Sequence, residues 1–127
     1  MANEKIKYSN GCSPQELEST SVRWFQDSDV GTKLSGTANV AMSGGSLVHV
    51  SPKTITGVEP SSGSISSKDF IFVKNISGDD VKITLDGTNY LIRLSAGESF
   101  ASELDSSVAA VKINTDGTST VEYLSGT

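Results

Sequence analysis

VKITLDGTNYLIRL, Val81 to Leu94, decides the fold. Val81, Ile83 and Leu85 point one way while Lys82, Thr84 and Asp86 point the other, the period-two pattern of a strand with one buried and one wet face. Tyr90 to Leu94 must come straight back. Between them stands Asp86-Gly87, a dipeptide that accepts the positive φ of a tight hairpin at little cost, because glycine has no Cβ to clash. Outward from this hairpin the same grammar repeats between Lys68 and Thr127. FIFVKN (Phe70 to Asn75) runs into Ser77-Gly78-Asp79-Asp80, and ESFASEL (Glu98 to Leu104) follows Ala96-Gly97. AAVKIN (Ala109 to Asn114) runs into Asp116-Gly117, and STVEYL (Ser119 to Leu124) closes the series. Six short strands at regular spacing, with turn chemistry between them, predict an all-β sandwich or barrel.

Upstream, TANVAMS and SLVHVS are two further strands separated by Gly44-Gly45, which predicts a second hairpin. Lys53 to Val58 adds a short strand. The Ser- and Gly-rich stretch Val58 to Asp69 reads as a flexible loop or a connection between two sheets. About eight strands result, an antiparallel sandwich of jelly-roll or immunoglobulin-like type spanning residues 37–127.

Residues 1–36 differ in kind and are expected to form an irregular N-terminal arm. Their apolar residues follow no sustained period, and Asn10-Gly11 and Ser13-Pro14 interrupt them. Pro14 after a Ser13 cap, with Glu16 in the first turn, suits one short helix ending near Thr20. Ser21 to Gln26 then reads as an extended piece or a first strand, and 27–36 as a loop. The large apolar side chains of the arm, Ile6, Tyr8, Leu17, Trp24 and Phe25, need burial. They either close the sandwich or dock on another subunit, so they are the candidate partner-binding residues. Phe70, Phe72, Tyr90, Phe100 and Tyr123 are expected in the core or on a sheet face.

Composition bounds the function. With 127 residues the chain builds one core. Its 35% hydrophobic content, with Ser, Thr and Gly filling the gap, suits a thin β-rich domain. A net charge of −5 and singly scattered basic residues argue against a nucleic-acid partner, since phosphate binding needs clustered Lys and Arg. No apolar run approaches a membrane span, and MANEKIKYSN lacks the apolar core of a signal peptide. A soluble product of the cytosol, without membrane association, is the expectation. The lone Cys12 excludes an internal disulfide and a multi-cysteine metal site.

Site chemistry is sparse. His49, the sole histidine, would serve an enzyme as base for Cys12 or a serine, but the plainer reading is a half-exposed strand residue. Cys12 sits in an Asn-Gly-Cys-Ser-Pro turn with nothing to lower its pKa. No G-x-S-x-G elbow and no phosphate-binding glycine loop occurs. Asp79, Asp80, Asp86, Asp105 and Asp116 crowd the turns, where several carboxylates would suit Ca²⁺, yet Asp is also the preferred turn residue. Trp24 and Tyr90 are the aromatic candidates for a carbohydrate site, and core packing is the plainer use of both. No catalytic residues and no cofactor are expected.

The C-terminal half resembles the small β-sandwich modules of tailed-bacteriophage virion proteins. The likeness lies in Lys74-Asn75 ending a strand, the hairpin Val81 to Gly87, the turn Leu94 to Phe100 and the final strand Val121 to Leu124. It covers a little under half the chain. The resemblance implies a non-enzymatic structural part of a virus particle: a capsid decoration (cement) protein, a head fibre base, or a neck or tail component. It further implies residence in the virion after synthesis in the host cytoplasm. The implied partners are the major capsid protein or other virion proteins, within a homo-oligomer for which a trimer suits three-fold lattice positions.

Overall fold

A computed structural model describes residues 5–11, 35–41, 47–66 and 69–127. Ten strands lie among the described residues, and no helix. They are β1 (Lys5–Gly11), β2 (Ser35–Ala41), β3 (Leu47–Ile55), β4 (Val58–Glu59), β5 (Phe70–Gly78), β6 (Val81–Thr84), β7 (Tyr90–Leu94), β8 (Ser99–Glu103), β9 (Lys112–Thr115) and β10 (Ser119–Gly126). Two four-stranded antiparallel sheets, ordered β3-β10-β5-β8 and β4-β9-β6-β7, form the sandwich, and β1-β2 is a separate antiparallel pair.

The alternation read from the sequence sets the layers, except that Thr84, expected on the wet face, is fully buried, its hydroxyl turned into the hairpin turn. Ile71 and Val73 of β5 and Val121 and Tyr123 of β10 face Val81 and Ile83 of β6 and Ile113 of β9, in one core with Ile55, Ile65, Leu94 and Val111. Each of these side chains is at most 5% exposed. Burying such an aliphatic side chain contributes roughly 1.5–3 kcal/mol. The stretch Val58 to Asp69 does join the two sheets, and it pins its middle inward. Ile65 is 4% exposed, and its amide donates to Val111 O at 2.8 Å.

The 81–94 hairpin pairs Val81 with Leu94 and Ile83 with Ile92, and Gly87 takes φ +83°. The Thr84 hydroxyl accepts the Gly87 amide at 3.1 Å and donates to Asp86 at 2.8 Å, so the turn is closed by side chains. Lys74-Asn75 and the turn after Leu94 meet at Asn75. Its Nδ2 donates to Leu94 O and Asp79 O, both at 3.0 Å, while its backbone exchanges bonds with Gly97 and Glu98.

Two expectations need correction. The strand TANVAMS does not pair with SLVHVS. Its residues from Thr37 to Ala41 pair with β1, while β3 pairs with β10 from Leu47↔Gly126 to Ile55↔Ser119. The distant partner wins because it sets Val50 against the core, a gain that a local hairpin would forgo. The second correction concerns Lys5–Gly11, which is a regular strand where the reading expects irregular chain. The suggested helix from Pro14 to Thr20, Ser21 to Gln26 and Gly44-Gly45 lie outside the described residues.

Candidate functional site: an apolar outer face under a hairpin

The run FIFV gives β5 apolar side chains on both faces. Ile71 and Val73 enter the core, so Phe70 and Phe72 must point out of the sandwich. Cross-strand pairing extends this outer surface. Leu124, Phe72 and Ala101 stand in one row across β10, β5 and β8, and Phe70 lies in the row that holds Gly126 and Glu103.

β1 covers that surface. Ile6 and Tyr8 alternate with Lys7 and Ser9, and the apolar pair joins Phe72, Ala101 and Leu124 in packing around Phe70. The Tyr8 and Phe70 rings lie 5.2 Å apart and tilted by 49°, a spacing at which aromatic pairs attract. The Tyr8 hydroxyl accepts the Glu103 amide at 3.2 Å, so the phenol satisfies a donor on the edge strand β8. Phe70 is thereby only 2% exposed. A pocket of about 360 Å³ remains between hairpin and sheet, lined by both. Its walls are mainly aromatic and aliphatic, with Lys7 as the one charged side chain among them. Such a surface is suited to packing.

The remaining candidates have local uses. His49 Nε2 lies 2.7 Å from Glu122 on the neighbouring strand, an exposed cross-strand pair. The carboxylates near the turns do not converge. Asp86 accepts the Thr88 and Asn89 amides at 2.8 and 2.7 Å, together with the Thr84 hydroxyl and the Asn89 side chain. Those donors, the Asn89 amide first, hold its carboxyl well below the usual range. Asp105 is held by the Ser107 hydroxyl and amide, and its pKa is lowered in the same way. Asp79 accepts the Thr118 amide at 2.9 Å, Asp116 pairs with Lys82 at 3.5 Å, and Asp80 pairs with Arg93 at 3.9 Å. Among the described residues no group of three or more His, Cys, Asp or Glu is arranged to hold a metal ion. Tyr90 is half-buried on β7.

Sequence reasoning missed one buried network. Glu59, 6% exposed, receives Tyr123 Oη at 2.8 Å and Lys53 Nζ at 3.0 Å. Burial, then the Glu59 carboxylate, push the Tyr123 phenol above its ordinary pKa. Glu59 belongs to β4 and Tyr123 to β10, so the bond ties the two layers together.

Of the expected partner-binding residues, Ile6 and Tyr8 come together on the outer face, and Leu17, Trp24 and Phe25 lie outside the described residues, as does Cys12. Compared with known proteins, the chain matches no family model, no curated protein and no solved structure.

Proposed function

We propose that the chain is a non-enzymatic structural protein of a tailed-bacteriophage virion, a capsid decoration subunit that binds and stabilises the assembled shell. In this reading it works by surface contact and resides in the virion. Its partners are the major capsid protein and further copies of itself, with a trimer at three-fold positions. The observation that carries the reading is the apolar row Leu124-Phe72-Ala101 and Phe70 beneath Ile6 and Tyr8. An apolar outer face with a detachable-looking cover is what a subunit needs to adhere to a neighbour. The likeness of Lys74-Asn75, Val81 to Gly87, Leu94 to Phe100 and Val121 to Leu124 to virion modules supports the same class.

The test is co-sedimentation of the purified chain with phage shells that lack it, followed by electron microscopy of the decorated particles. The expected result is saturable, stoichiometric binding to the shell that weakens at least tenfold in Ile6→Asp with Tyr8→Asp. Density at the neck or tail would move the address within the particle. No association with any part of the particle overturns the reading.

A further inference from the structure

We propose that the β1-β2 hairpin is an exchangeable element, so that the apolar patch formed by Phe70, Phe72, Ala101 and Leu124 is a docking site for the hairpin of a second copy of this chain.

Four observations lead to this. First, the hairpin is a sheet of its own. Its seven pairs run from Lys5↔Ala41 to Gly11↔Ser35, and neither strand pairs with the eight strands of the sandwich. No backbone ladder need break for it to leave. Second, among the described residues the contacts that join it to the sandwich are one face of side chains, Ile6 and Tyr8, and a hydrogen bond from Glu103 N to Tyr8 Oη at 3.2 Å. A pocket of about 360 Å³ lies between the two parts, lined by Ile6 and Tyr8 from the hairpin and by Phe70, Phe72, Ala101 and Leu124 from the sheet. Third, a two-stranded hairpin is marginal alone in water, and the patch beneath it is a row of exposed apolar side chains once uncovered. Each therefore needs the other, wherever the other comes from. Fourth, after β2 the chain reaches β3 through only five residues, Met42-Ser43-Gly44-Gly45-Ser46.

Exchange between identical copies re-forms the same contacts, so the trans arrangement differs from the cis one only in the linker and in effective concentration. A short linker presents its tethered element at about millimolar concentration. Below that the hairpin stays on its own sandwich. Where copies are held side by side, the neighbour's patch competes on equal terms.

Two full-length variants test this by complementation. One carries Ile6→Asp and Tyr8→Asp and has no working hairpin; the other carries Phe72→Asp and Ala101→Asp and has no working patch. The expected result is a complex by sedimentation only when the two are mixed, half-formed at about 1 mM or below. Absence of a mixed complex from folded variants at that concentration overturns the proposal. If a variant does not fold, the unaltered chain decides. Differently isotope-labelled copies are refolded together at about 1 mM, where cis and trans compete, and examined by filtered NMR. Tyr8 to Phe70 contacts between labels sustain exchange, and contacts confined to one label overturn it. Neither experiment uses particles, so failure here and failure of the virion reading are separate results.

Discussion

Tyr123 and Glu59 join the two layers of the sandwich: the phenol donates to the carboxylate at 2.8 Å, and Lys53 Nζ reaches the same oxygen at 3.0 Å. A buried carboxylate left short of donors is costly, so Tyr123→Phe removes more than one bond's worth of attraction. The expected loss is about 1.5–3 kcal/mol, the range for hydrogen bonds to charged groups. Urea unfolding measures it, and an unchanged midpoint would show that the pair does not fasten the layers.

The same pair sets an alkaline limit. The folded phenol titrates above the unfolded value of about 10. Between those values the unfolded chain has lost a proton that the native chain keeps, so unfolding becomes easier as pH rises. Stability should be full below about pH 10 and decline above it, with a shallower decline in Tyr123→Phe. Parallel curves for the two proteins above that pH would contradict the assignment.

Asp86 sets the complementary acid limit. Its carboxyl is held below the usual range by donors in its turn, so the stability it contributes is present above about pH 4 and fades as pH falls. Asp86→Ala should lower the melting temperature at neutral pH and flatten the fall in stability under acid. A full acid-dependent fall in the variant would place its cause in other groups.

Three glycines with positive φ differ in what surrounds them. A Cβ on Gly78 would collide with Thr118 O, one on Gly87 would meet the Ala110 Cβ at 3.2 Å, and one on Gly97 has open space. Backbone strain alone costs on the order of 1–3 kcal/mol for a side chain in this region. Gly97→Ala should lose about that much, Gly87→Ala slightly more, and Gly78→Ala the most; Gly87→Val should exceed Gly87→Ala. Thermal melts that reverse the order of Gly78 and Gly97 would refute the local geometry.

Removing the Tyr8 ring should uncover the outer face. Tyr8→Ala is expected to raise binding of an apolar dye and to cost about 1–2 kcal/mol, combining a ring pair with a lost hydrogen bond. Tyr8→Phe keeps the ring and should leave dye binding low. Equal dye binding by both variants would mean that the hydroxyl, and not the ring, closes the patch.

The body of the fold was legible because its signals are local. Alternation in VKITL, positive φ at Gly87 and Asp at the turns each act within a few residues, and the strands after Phe70 stand where those signals put them. Pairing was less legible. Gly44-Gly45 can turn a chain, but nothing nearby reveals that β3 finds Val50 a better place beside β10. The outer face has a signal in the sequence: FIFV is apolar on both faces, which already asks for a third layer. KIKYS alternates as cleanly as VKITL and supplies that layer as β1. The Glu59 network had no such signal, because Lys53, Glu59 and Tyr123 meet only through the folded topology.

The open borders of the sandwich are each blunted. β4 is two residues long. Ser51 and Pro52 oppose the single residue Glu122 in a bulge of β3, and Leu91, 86% exposed, is the extra residue between Ile92 and Tyr90 on β7. On β8, the Glu103 amide is occupied by Tyr8. Along these four borders, a crowd of such molecules finds no ready template for fusing its pleats into a continuous ribbon. A concentrated solution of the chain is therefore expected to resist edge-to-edge growth into fibrils along these borders.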